Sequence, residues 1–169
     1  HKLSQLGPAL STGDVNNDGQ DDIFIGGATS LPSAIFMSTP NGTYLRDESP
    51  IWEAEKRYED IAAEIFDADN DGDMDIYVAS GSNEFEIGDE RYTDRLYLND
   101  GTGKFSRSKN KIPNILASTG TVEAADIDGD GDMDLFVGGR LVPARYPRAP
   151  QSYILINNNG VFEDQTKEI

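Results

Sequence analysis

Cysteine is absent from the chain and histidine occurs once, as His1. The first absence excludes a disulfide framework and all thiol chemistry, which fits a bacterial or intracellular protein. The second leaves no Ser-His or Cys-His nucleophilic pair. Together they remove the ligands that zinc normally takes. No apolar run approaches the roughly 20 residues that a membrane-spanning helix needs. Basic residues are scarce, 14 against 31 acidic ones, so the formal net charge is −17. So acidic a surface argues against nucleic acid as a partner, because phosphate is bound through cations. The 37% hydrophobic content still exceeds that of a simple disordered chain. At 169 residues the chain is long enough for one domain with a real core.

Aspartate, asparagine and glycine are plentiful, and they recur in one pattern. The nine-residue stretches starting at Asp14, Asp67 and Asp126 each place an oxygen-bearing side chain at positions 1, 3, 5 and 9 and a glycine at position 6. These side chains are Asp14, Asn16, Asp18 and Asp22; then Asp67, Asp69, Asp71 and Asp75; then Asp126, Asp128, Asp130 and Asp134. The pattern suits a calcium ion, a hard cation that takes about 6–8 oxygen ligands at roughly 2.3–2.6 Å from carboxylates and backbone carbonyls. The glycine permits a sharp turn. Position 7 (Gln20, Asp73, Asp132) then supplies its backbone carbonyl, and its side chain is free to vary. Three Ca2+ sites are therefore expected. Eleven of the chain's acidic groups fall at these ligand positions, so much of the net charge has a local counterion. Without the ion those carboxylates repel one another. With it, binding energy becomes folding energy.

The residues after each loop separate this pattern from an EF-hand, which needs a bidentate Glu at position 12 and flanking helices. Position 12 is Ile25, Val78 or Val137. The loops run into residues 23–27, 76–80 and 135–139, short β-branched and aromatic runs closed by small residues, which read as buried strands. The loops begin at 14, 67 and 126, at intervals of 53 and 59 residues. Such a period fits one four-stranded propeller blade with loop insertions. Each unit reads alike. A leading strand (9–12, 61–66, 122–125) enters the loop, and the apolar run leaves it as the second strand. A third strand (34–38, 95–99, 153–157) reaches a turn rich in Asn and Gly. A fourth (43–46, 104–107, 161–164) closes the unit. The expected fold is all-β, three four-stranded antiparallel blades at about 1–48, 60–109 and 119–167, within a single propeller segment spanning 1–169.

At these residues the chain resembles the FG-GAP-like, or VCBS, repeat group, whose members include the calcium-binding blades of integrin α-subunits. The resemblance is carried by the three loops, the strand after each, and the hairpins from Asn99 to Phe105 and from Asn157 to Phe162. It implies a β-propeller fold and bound calcium. The third unit, with Gly138, Gly139, Arg140 and Pro143, is also similar to repeats of large bacterial surface and exported proteins. Asn16 departs from the acidic pattern, and no integrin-type partner motif is present.

Calcium at the about 10⁻⁴–10⁻³ M that extracellular modules bind places such a protein outside the cell, at its surface or in the periplasm. A chain starting at His1 without Met or signal sequence reads as a mature segment or an excised piece. Three blades leave open sheet faces. Three arrangements close them: a larger propeller of which this is a stretch, homo-oligomers that complete a ring, or a strand donated between neighbours. No catalytic residue is assigned, since most carboxylates sit in the loops. The expected role is a non-enzymatic, calcium-stabilised interaction scaffold with a protein or glycan partner. A lectin, a polysaccharide-lyase-type propeller fragment and a self-associating module are the alternatives. Outside the loops, Glu64 and Glu123, each three residues before a loop, read as polar strand positions or extra ligands. Residues 140–151 hold Arg140, Arg145, Tyr146 and Arg148, whose guanidinium forks suit carboxylate or sulfate. Residues 82–94 are acidic around Phe85 and Tyr92, residues 49–60 hold Trp52 in a helical turn, and Asn41-Gly42-Thr43 fits a glycosylation acceptor.

Overall fold

A computed structural model describes residues 8–167. The ends of the expected segment, His1 included, lie outside the described residues. Three antiparallel four-stranded sheets succeed one another along the chain. Blade one contains β1 (Leu10–Gly13), β2 (Asp22–Ile25), β3 (Ala34–Ser38) and β4 (Tyr44–Arg46). After a short helix α1 (Pro50–Ala54), blade two contains β5 (Asp60–Phe66), β6 (Asp75–Ser80), β7 (Arg95–Asn99) and β8 (Phe105–Ser108). Blade three contains β9 (Ser118–Ala125), β10 (Asp134–Leu141), β11 (Tyr153–Asn158) and β12 (Val161–Asp164). Strands pair in sequence order within each sheet, and β1, β5 and β9 adjoin one another from blade to blade. Among the described residues the array does not close on itself. No described helix is long and apolar enough to cross a membrane.

The sheets pack face to face, so both faces of a middle blade are buried. Alternation along the second strand assigns the sides. Ile76 and Val78 join Phe24 and Ile35 in the core between blades one and two. Tyr77 and Ala79 join Leu135 and Val137 in the core between blades two and three. The residue after the first apolar position of this strand therefore faces the next blade. It is 1% exposed as Phe24 and 0% as Tyr77, but 41% exposed as Phe136, beyond which no described blade lies. Trp52 on α1 fills the first interface, with its ring 5.7, 5.1 and 5.8 Å from those of Phe24, Tyr97 and Phe105. Its indole N–H donates to Asp47 at 2.9 Å. The tryptophan is thus a core residue.

Candidate metal centres

Each acidic loop curls around its own carboxylates. Position 1 accepts the amide of the position 6 glycine: Gly19 N donates to Asp14 at 2.8 Å, Gly72 N to Asp67 at 3.1 Å and Gly131 N to Asp126 at 3.2 Å. Position 5 accepts the position 7 amide at 2.9 Å in all three loops, through Asp18, Asp71 and Asp130. Two left-handed residues make the curl possible. One is the expected glycine at position 6, with φ of 83°, 90° and 101°. The other is position 4, where Asn17, Asn70 and Gly129 have φ of 58°, 59° and 81°. Glycine enters this region without penalty and asparagine more readily than most residues, so their recurrence at position 4 is a signal of the curl that the sequence carries and that the ligand pattern alone passes over.

The curl gathers oxygen. Ligand atoms of Asp67, Asp69 and Asp71 lie within 4.8 Å of one another, and so do those of Asp126, Asp128 and Asp130. In the first loop Asn16 takes the place of the middle acid. Oδ1 of Asp67 and Oδ1 of Asp69 are buried and have no hydrogen-bond donor. Two orphaned carboxylate oxygens beside a third acid fit a cation, since a buried acceptor without a partner is otherwise costly. The electrostatics agree. Burial raises the Asp69 carboxyl, and the neighbouring charges of Asp71 and Asp67 add to the rise against Lys111. Asp128 is raised by desolvation and by its acidic neighbours.

Position 9 does more than the ligand role expected of it. Asp22, Asp75 and Asp134 are all buried. One oxygen of each accepts the position 2 amide, from Val15, Ala68 and Ile127 at 3.1, 2.9 and 2.7 Å. The other accepts an amide of the third strand, from Ser38, Asn99 and Asn157 at 2.7, 2.8 and 2.7 Å. The carboxylate clips the loop to the middle of its blade. In blade two burial pushes Asp75 up to about 7, against the pull of those two amides.

Position 7 departs from the expectation that its side chain is free to vary. Asp73 accepts the side-chain amide of Asn17 at 3.0 Å, and Asp132 accepts that of Asn70. Position 4 of one loop thus grips position 7 of the next. A second tie runs backward. Nδ2 of Asn99 donates to the carbonyl of Val15 at 2.7 Å, and Nδ2 of Asn157 to that of Ala68 at 2.9 Å. Both blade junctions therefore carry the same pair of polar ties between successive loops. The end blades lack these residues on their outer sides: Gln20 stands at position 7 of blade one, Ser38 at its third-strand site, and Gly129 at position 4 of blade three.

The remaining candidates fall elsewhere. Glu64 and Glu123 lie on β5 and β9, opposite Tyr77 and Phe136, and neither belongs to the two carboxylate clusters. Burial, and then the charge of Glu123, raise Glu64. In the acidic connection of blade two, the Arg91 guanidinium lies 3.5 Å from the Phe85 ring centroid and pairs with Asp89 at 2.7 Å. That connection is packed onto itself. Asn41 and Thr43 form the exposed β3–β4 turn with Thr39. Residues 140–151 run from the end of β10 through most of its connection to β11, at the end of the blade away from the acidic loop.

A model of the FG-GAP-like repeat matches residues 14–78 and 67–137, and the chain belongs to this family. No curated protein sequence matches it. Among solved structures, it is similar to a lectin of Agrocybe aegerita whose specific recognition of non-reducing terminal N-acetylglucosamine has been described. The TM-score is 0.56 at 22% identity, and the match covers 90% of this chain but 36% of the lectin. At that identity the likeness concerns the fold. The chain spans about a third of the other protein's length.

Proposed function

We propose that this chain is a calcium-braced segment of a β-propeller that serves as a non-enzymatic interaction scaffold outside the cell, at its surface or in the periplasm. The observation that supports it most is the gathering of orphaned carboxylate oxygens inside a glycine-turned loop, in a loop pattern repeated along the array. In this reading three Ca2+ ions are held by side chains at positions 1, 3, 5 and 9 of each loop and by the carbonyls of Gln20, Asp73 and Asp132. The bound ion supplies charge neutralisation and a rigid oxygen shell. The protein's own residues do the rest: position 9 clips each loop to its blade, and the asparagine ties pass that order to the neighbouring loop. The rigid loop edge leaves the connections at the opposite end to present a surface to a partner. The open faces of blades one and three are covered by further blades of a larger propeller, or by a second copy completing a ring. A second reading, that the partner is a glycan, is favoured by the likeness to a lectin.

Thermal melts with calcium, with magnesium and with chelator test the metal reading. Calcium at a hundredfold excess over Kd is expected to add about 2.7 kcal/mol per site. For a chain of this size that is roughly 5–10 °C per site, at about 2–4 °C for each kcal/mol. Magnesium should give less, because it demands a tighter octahedral shell. Superimposable melts in all three conditions would reject the proposal.

A further inference from the structure

The connection from β10 to β11 has features that the scaffold reading leaves unused. Residues 140–151, which are the last two residues of β10 and most of this connection, contain three arginines and no acidic residue, in a chain of net charge −17. Tyr146 at its tip is 99% exposed, and Arg145 and Arg148 are exposed beside it. What sets the segment apart is the clustering of cations on an otherwise acidic chain, with an accessible aromatic ring among them. The connection is also held in shape. Arg145 N donates to the carbonyl of Val142 at 3.1 Å and Arg148 N to that of Arg145 at 2.7 Å. Ala144 N donates to the Asn83 side chain of blade two at 3.3 Å. The backbone that carries these side chains is therefore ordered before a ligand arrives.

Two clefts flank this connection. One, of about 500 Å³, lies between blades two and three and is lined by the half-buried Leu116, Pro150 and Tyr153, with Arg148 and Gln151. The other, of about 470 Å³, is lined by Arg140, Tyr146 and Arg148 among others. Both volumes fall in the range of small-ligand sites, about 300–1,000 Å³. Arg148 belongs to both clefts. We infer that this double cleft binds an acidic oligosaccharide, with its carboxylate or sulfate on Arg148 and a sugar ring on each side. A pyranose has an apolar C–H face and a hydroxyl edge, which suit the accessible Tyr153 and Pro150 of one cleft and Tyr146 and Pro147 of the other, beside amide and guanidinium donors. Guanidinium pairs with carboxylate or sulfate through two parallel hydrogen bonds. A folded acidic protein would need a broad continuous contact instead of two small hollows. The inference rests on the glycan reading, the second of the two proposed, and it does not depend on the calcium sites.

The test is titration of the full chain, in calcium, with a uronate-containing oligosaccharide, a sulfated one, a neutral one of equal length and a polyglutamate peptide. The expected result is binding of a charged saccharide, with the carboxylated and sulfated arms showing which anion is preferred. The neutral saccharide should bind at least about tenfold more weakly, and Arg148→Gln should lose about tenfold to a hundredfold. Tyr146→Ser should weaken binding severalfold, while Arg46→Gln, an exposed arginine on β4, should leave it unchanged. Arg148 is exposed, so its variant should melt like the parent, separating lost binding from lost folding. Equal binding of the neutral saccharide, binding of the peptide alone, no binding, or unchanged affinity in Arg148→Gln would overturn the inference. A calcium-dependent melt that survives such a failure would leave the scaffold reading intact.

Discussion

Asp60→Ala is expected to cost about 3–5 kcal/mol, a large share of a total stability of about 5–15 kcal/mol. Asp60 and Arg95 form an ion pair in which the two side chains are 2% and 1% exposed. Burial works against the Arg95 charge, and Asp60 outweighs it, so the guanidinium is held above its ordinary value. Arg95 also donates to Tyr97 and to Ser80, each at 3.1 Å, and lies 4.1 Å from the Tyr58 ring centroid. The second oxygen of Asp60 accepts Gly27 N at 2.8 Å and the Ser33 hydroxyl, tying blade one to the first strand of blade two. Removing the carboxylate strands a buried cation and two donors. Removing both charges, as in Asp60→Ala with Arg95→Met, should recover part of the loss, because apolar replacements of buried pairs are often tolerated. Urea denaturation in chelator measures both variants. The deficit should be the same with and without calcium, since the pair lies at the end of the blade away from the acidic loop. A single variant within about 0.5 kcal/mol of the parent would show that the pair contributes little.

Asp134→Ala and Asp130→Ala should separate two roles that the loop combines. Asp134 accepts the amides of Ile127 and Asn157, both at 2.7 Å, and is fully buried. Its loss leaves two donors without partners, at about 1–3 kcal/mol each, so the variant should be destabilised by about 2–6 kcal/mol even in chelator. Asp130 is exposed, and it accepts the amide of Asp132 within its own loop. Asp130→Ala should match the parent within about 0.5 kcal/mol in chelator and fall behind it in calcium. Equilibrium denaturation in the two buffers gives both numbers. Equal behaviour of the two variants in chelator would contradict the clip assigned to position 9.

Much of the fold was legible because strand signals are local. The third strands of blades one and two, Ala34–Ser38 and Arg95–Asn99, occupy the residues expected, as does β12, Val161–Asp164. The leading strand of blade three is longer than its apolar run, beginning at Ser118 and pairing with β10 through irregular register around Gly138 and Gly139. Polar residues there stay in the sheet because their side chains find partners in blade two: the Thr119 hydroxyl lies 3.1 Å from the Ser80 carbonyl and 2.7 Å from Asp94, and Ser118 accepts Ser82 N at 3.1 Å. The ties between loops were not legible. Asn17 reaches Asp73 across 56 positions and Asn70 reaches Asp132 across 62, and a reading made one repeat at a time treats both acids as variable. Arg95 was likewise unremarkable as a strand residue, because nothing local marks a charge that will be buried against a partner 35 positions away. Pattern within a repeat announced the blades and the oxygen-rich loops, while contacts between repeats set which polar residues hold them together.

Whether the three curled acidic loops hold calcium is tested most directly by counting bound ions, using equilibrium dialysis against millimolar calcium. The expected result is three ions per chain, falling to two in Asp130→Ala. An ion count of zero, or a count that the variant leaves unchanged, would contradict the calcium-braced propeller.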